Sequence, residues 1–316
     1  MAERIPAPPN LGDLQKFILP SRACLTAVRD LLCAARRSAL IDGVRAARHT
    51  SKKASASEDQ RAAAALETLW EAVACLELAA RVAAPWVDPH LPSPNGAWVE
   101  MTRYDSGRVN RFYESSHNWT DERFAVLSTH RFRHGDSTSM LDVMRDEGLT
   151  NETMAAAFNE AEAATTRFLR DRFTTLATAW KDMRAYAAAF EHGLLLVPSE
   201  VGAIVDDDDN EVPHAIVVWE TRKDASRGHM GDSVDDAIAS AEQAGELAID
   251  LAHYVADARL RIVNALEFEG DDVYLRVWDN PVPYWFHRGD VSEETLEVLR
   301  RTRIGWIKDN DETPTP

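Results

Sequence analysis

Apolar residues recur along this chain at steps of three and four, over unusually long stretches. Between 21 and 45, Leu25, Val28, Leu31, Leu32, Ala35 and Ala39 keep close to helical spacing, which predicts one buried face on a helix. A second stripe, Leu66, Leu69, Val73, Leu76, Ala80 and Ala83, predicts a helix from Ser57 to about Ala84. Ser57 with Gln60 forms a capping box at its start, and Pro85 predicts its end. Two shorter helices are predicted near 121–131 and 137–147. The clearest stripe includes Met154, Phe158, Ala161, Phe168, Leu176, Trp180, Met183, Ala187 and Phe190. It predicts a helix over 151–191, bent or broken near Arg170–Arg172, with Gly193 as C-cap. Another long helix is predicted from Ser233 to about Phe268, striped by Ala237, Ala241, Ala244, Ala248, Leu251, Val255, Ala258, Ile262 and Ala265. A last helix, 293–302, is capped by Ser292.

Alternating runs are fewer and shorter. VGAIV and VPHAIVVW flank the acidic tip DDDDNE and predict a hairpin after the helix that ends at His192-Gly193. WVEMTRY and RVNRFYE predict a second hairpin, turning at Asp105-Ser106-Gly107, and Val273–Trp278 alternates as a strand. HTSKKASAS, DPHLPSPNG and ETRKDASRGHMGD read as a linker and loops. Four long amphipathic helices cannot each bury a stripe alone, so they are expected to pack together. The predicted fold class is α+β, predominantly helical: a long-helix bundle with a small antiparallel hairpin or sheet. The expected organisation is a loose N-terminal segment 1–20, one mainly helical domain 21–305 and a disordered tail 306–316, with a sub-boundary near 85–120 left open.

Composition narrows the partners. Hydrophobic residues make up 45% of the 316 positions and charged residues 28%, as in ordinary globular proteins. The formal net charge of −17 repels phosphate backbones except where a local basic cleft overrides it. Cys24, Cys33 and Cys75 make an odd count without ligand spacing, which argues for buried thiols in a reducing compartment. The most apolar stretch, Ala72–Ala84, is short for a membrane span and carries Glu77 and Arg81. MAERIPAPPNLGDLQKF has no apolar signal core, so a cytoplasmic protein without a membrane segment is expected.

Metal-like patterns are incomplete. His130 and His134 stand four apart, but no third ligand is identifiable and Arg131 and Arg133 surround them. Glu246, Asp250, His253, Asp257 and Arg261 share the face opposite the alanine stripe. Asp250-Leu-Ala-His253 is half of a di-iron pattern, and the other instance, Glu114-Ser-Ser-His117, falls in a predicted loop. That face reads as a solvated surface or a polar seam between helices. Asp206–Asp209 lacks the alternation and the glycine of a calcium loop. No metal and no cofactor are expected, and there is no Gly-rich phosphate loop or nucleophile elbow.

One pattern carries a reaction. Arg123-FAVLST-His130 sets a guanidinium and an imidazole two helical turns apart on one face, and Arg184-AYAAAFE-His192 does so with one residue more. An imidazole can move the proton in RNA cleavage while a guanidinium holds the phosphate. Over about residues 20–193 this resembles HEPN-type helical proteins, whose motif is Arg-x(4–6)-His in a bundle, many of them from bacterial toxin or defence systems. Arg123 and His130 fit that window; Arg184 and His192 exceed it by one. The resemblance implies a metal-independent ribonuclease acting as a dimer, with Arg123, His130, Arg184 and His192 as its catalytic candidates. The expectation set against it is a non-catalytic interaction or assembly protein, a homodimer or the partner of another protein. Its contact surfaces would be the alanine face of 233–268 and the Tyr284–Phe286 cluster. RNA is a partner only under the ribonuclease reading.

Overall fold

The computed structural model describes residues 3–6, 22–87, 101, 106–129, 139, 141–142, 145, 150–192, 196–198, 215–222, 225–269, 272–277 and 291–301. The protein is predominantly helical. Its α-helices are α1 Cys33–Lys52, α2 Glu58–Val87, α3 Ser106–Ser116, α4 Asp121–Ala125, α5 Glu152–His192, α6 Val234–Ala265 and α7 Glu293–Arg301. Helical residues 22–27 and a π-helical segment Val28–Leu32 lead into α1. The strands are β1 Glu3–Pro6, β2 Leu196–Pro198, β3 Ala215–Arg222, β4 Ala225–Ser233, β5 Leu266–Glu269 and β6 Asp272–Val277. The chain divides into two compact units: Met1–Leu31, Ala80–Thr174 and Ala252–Pro316 form the first, Leu32–Ala79 and Thr175–Leu251 the second.

The first unit has an aromatic core. Residues 106–116, which include the second half of the segment expected to form a hairpin, form the helix α3 instead. Val109, Phe112, Tyr113 and Ser116 stand at steps of three and four and are all buried, so a helical face outweighs the turn signal of Ser106-Gly107. Phe112 meets the edges of Trp119 and Phe173 at 5.0 and 5.8 Å, and Phe124 lies 5.4 Å from Trp119, within the range of favourable ring packing. Helix α4 ends at Ala125 rather than continuing to Arg131, and residues 126–129 turn, with Ser128 donating to the Ala125 carbonyl at 2.7 Å. Helix α5 is unbroken at Arg170–Arg172. Leu169, Phe173 and Leu176 carry the buried stripe through that point, while Arg170 pairs with Asp121. Pro85 lies inside α2; so close to the C-terminus its missing N–H removes one bond at an end that frays anyway. Ser292 caps α7, accepting from the Thr295 N–H at 3.3 Å. Along the backbone, β6 lies antiparallel between β1 and β5.

The second unit packs small aliphatic side chains. Helix α1 runs into the segment read as a linker, over residues 49–52, and stops there; Ala46, Ala47 and Arg48 before it are good helix formers. Residues 53–57 are the non-helical connection. The Ser57–Gln60 box forms as expected, with the Ser57 N–H donating to Gln60 Oε1 at 3.1 Å and the Gln60 N–H to Ser57 Oγ at 3.3 Å. Strand β3 pairs with β2 on one side and with β4 on the other, so part of the expected polar loop is extended and paired. The acidic tip of the expected hairpin, Asp206–Asp209, lies outside the described residues.

The predicted stripe of the first helix is half wrong, for a local reason. Leu31 and Leu32 are 67% and 47% exposed. The π-helical turn at Val28–Leu32 inserts a residue and rotates the face, so the buried series is Leu25, Val28, Cys33, Leu40, Val44 and Ala47.

Candidate functional site

Among the described residues of the first unit, a dense polar cluster sits on the π-turn and the facing part of α6. Arg29 grips Asp30 with two bonds, Nε to Oδ1 at 2.6 Å and Nη2 to Oδ2 at 3.0 Å. Its remaining nitrogen, Nη1, donates to Asp257 Oδ1 at 3.1 Å, and Arg261 Nε donates to the other oxygen of Asp257 at 2.9 Å. The bond from Arg29 holds the Asp30 carboxyl below its usual range, and the same bond raises Arg29 further. His253 is exposed one turn before Asp257, and its positive form also favours the Asp30 carboxylate. Two guanidiniums and two carboxylates neutralise one another here. This is a clamp between helices with an exposed imidazole at its edge.

In the second unit the same polar face continues as a ladder. Arg37 pairs with Asp250 and Arg48 with Glu242, and Ser51 Oγ donates to Asp235 Oδ1 at 2.7 Å. The partners rise on α1 as they fall on α6, so these helix segments are antiparallel. The seam between helices, one of the two readings of this face, is what forms. Among the described residues no group of three or more His, Cys, Asp or Glu is placed to share a metal ion. A sequence signal for the ladder exists: acids at 235, 242 and 250 on one helix repeat at nearly seven residues, and Arg37 and Arg48 carry the opposite sign on another.

Beside that ladder lies a shallow groove of about 290 Å³. Ile41 and Val44 form its apolar floor, Arg45 and Arg48 one rim, Glu242 and Glu246 the other. Arg45 is 75% exposed and reaches only its neighbour Asp42, at 3.2 Å, among the ion pairs described.

Among the described residues the largest fully buried side chain is one that periodicity did not single out. Arg259 of α6 is 2% exposed. Its Nη1 donates to the carbonyls of Val126 and Ser128 at 2.8 and 3.3 Å, and its guanidinium lies 4.4 Å from the centre of the Trp86 ring. Burial draws it down to about 9, still protonated at neutral pH. It therefore fixes the turn after α4 through carbonyl dipoles and an aromatic face. The available signal was a cation inside an apolar stripe: Val255, Ile262 and Val263, three and four residues away, are all buried.

The expected catalytic residues are placed unevenly. Arg123 is half-buried on α4 in the first unit, and Arg184 is on the exposed side of α5 in the second. His192 is the last residue of α5. His130, His134, the His192 side chain and Tyr284–Phe286 lie outside the described residues. The alanine face of α6 is no free contact surface: Ala237, Ala241, Ala244 and Ala248 are 2%, 0%, 6% and 0% exposed. Short side chains there serve packing within the chain. All three cysteines are free thiols. Burial pushes Cys33 up to about 11 and Cys75 up to about 12, which keeps them protonated and poorly nucleophilic. Among the described residues no helix is long and apolar enough to cross a membrane. No family model, curated protein or solved structure matches the chain.

Proposed function

We propose that this chain is a non-catalytic interaction or assembly protein of the cytoplasm, a long-helix bundle with a small antiparallel sheet, whose contact surface lies on α1 and the turn that precedes it. One observation carries this reading. Among the described residues, the large apolar side chains left exposed are Leu31, Leu32 and Ile41, and they fall within eleven positions of one another. The described polar clusters support it as well, because their charges are committed to one another rather than aimed at an open centre. Sedimentation equilibrium of the full chain tests the reading. Wild type is expected to exceed the monomer mass, and Ile41→Glu to shift toward monomer with its melting temperature unchanged. A chain that is monomeric at every concentration would overturn the self-association this reading expects.

A second reading, the HEPN-like ribonuclease, is favoured by one feature. Arg259 anchors the turn 126–129 that leads from Arg123 on α4 directly to His130. Under this reading Arg123 and His130, or Arg184 and His192, would handle phosphate and proton. Total RNA incubated with concentrated wild type is expected to remain intact. Cleavage that falls by about 10²–10⁴ in a folded His130→Ala or His192→Ala protein would instead establish the ribonuclease.

A further inference from the structure

The groove of the second unit has unlike walls. Its α1 rim is basic, with Arg45 and Arg48; its α6 rim is acidic, with Glu242 and Glu246; Ile41 and Val44 lie between them. A surface built this way is complementary to itself under one symmetry operation. A two-fold axis lying in the contact plane and parallel to α1 turns the basic wall of one copy onto the acidic wall of the other. An axis in the same plane but across the helices would set arginine against arginine. The levels along the groove also agree. Arg48 bonds Glu242 within one chain, so the two stand at one height. Because α1 and α6 run antiparallel here, a step back to Arg45 and a step on to Glu246 move the same way. The parallel axis therefore brings Arg45 of each copy to Glu246 of the other.

We infer that the partner of this face is a second copy of the chain, docked about a two-fold axis parallel to α1, with Ile41 at the centre and reciprocal Arg45–Glu246 pairs at the edges. This rests on the association reading above and specifies it. With Arg48 and Glu242 paired to each other, an acidic ligand would meet Glu246 and a basic one Arg45; a second copy carries both signs in the order that satisfies both rims. A stable dimer buries about 800 Å² per partner. The groove alone is smaller than that, so the contact extends past it, over the exposed α1 positions Ala34 and Ser38 and across to the α6 rim.

Charge exchange tests the geometry. Arg45→Glu, Glu246→Arg and the double variant would be compared with wild type by sedimentation equilibrium of the full chain, with thermal melting to establish folding. Both positions are exposed, so all the proteins are expected to fold. Each single variant is expected to dimerise at least about tenfold more weakly, because like charges then face each other across the axis. The double variant restores opposite signs and is expected to return to within about threefold of wild type. Raising salt should weaken the wild-type dimer. A wild type that is monomeric throughout overturns this inference together with the association reading. A dimer indifferent to both single changes overturns the inference alone. Single variants that weaken association without rescue in the double variant overturn the two-fold arrangement.

Discussion

In the first unit, Phe173 is surrounded by rings, with Phe112 and Trp119 at 5.8 Å and Phe124 at 6.3 Å. In the second, the corresponding work falls to Leu40, Val44 and a run of alanines, and Gly245 lets the Leu40 side chain come against the α6 backbone. Both solutions bury helix faces. Large rings fill space between elements held apart and leave room at their edges, where Arg259 lies over Trp86. Small side chains bring helix axes close and leave room for nothing larger than hydrogen. The first kind of core can contain a charge if carbonyls and an aromatic face receive it. The second depends on the absence of a single methyl group.

Removing the buried cation should give the largest effect. Arg259→Ala deprives the Val126 and Ser128 carbonyls of a donor and opens a cavity beside Trp86. A loss of about 3–4 kcal/mol in urea unfolding is expected. Arg259→Met keeps most of the volume and ends the burial of charge, and should cost about half as much. If the alanine variant lost less than about 1 kcal/mol, the guanidinium would not be holding this core together.

Two glycines of the second unit make the next comparison. A Cβ on Gly245 would lie 2.6 Å from Leu40 Cδ2, whereas one on Gly43 would meet nothing nearer than Thr68 Oγ1 at 3.8 Å. Alanine at either site gains up to about 1 kcal/mol of helix propensity. Gly43→Ala should therefore stabilise by about 0.5–1 kcal/mol. Gly245→Ala should destabilise by about 1 kcal/mol, because Leu40 is fully buried and overpacking outweighs the gain. Equal effects at the two sites would remove the close approach from the account of this unit.

The smallest expected effect belongs to a surface anchor of the first unit. Glu160 accepts from Thr295 Oγ1 at 2.5 Å and from the Ser292 N–H at 2.7 Å, and these bonds, that of Thr295 foremost, hold its carboxyl below the usual range. A depressed folded value means that its stabilisation is complete above the unfolded glutamate range and is lost as pH falls through the folded value. Glu160→Gln should cost about 0.5–1 kcal/mol at neutral pH, discounted for exposure. The gap between variant and wild type should close on acidification, and melting curves over that range would detect it. A gap unchanged in acid would mean that Glu160 does not anchor α7 through its charge.

Periodicity and capping chemistry determined most of the helices. The stripe from Met154 to Met183, the Ser57–Gln60 box and the Ser292 cap are local signals, because residues three and four apart share a face in any helix. Where local signals competed, they were insufficient. Ser106-Gly107 carries a turn signal, yet Val109, Phe112 and Tyr113 could be buried together only on a helix. The π-turn at Val28–Leu32 shifts the phase of everything after it, so Leu31 and Leu32 lost the core that simple spacing assigned to them. The candidate sites were still less legible. Which carboxylate on α6 meets which arginine, that Arg259 turns inward onto Trp86, and that the alanine face is already covered by the chain itself are matters of what lies opposite each residue. A single helix pattern contains its own face but not the face packed against it, and that opposition exists only once the helices are assembled.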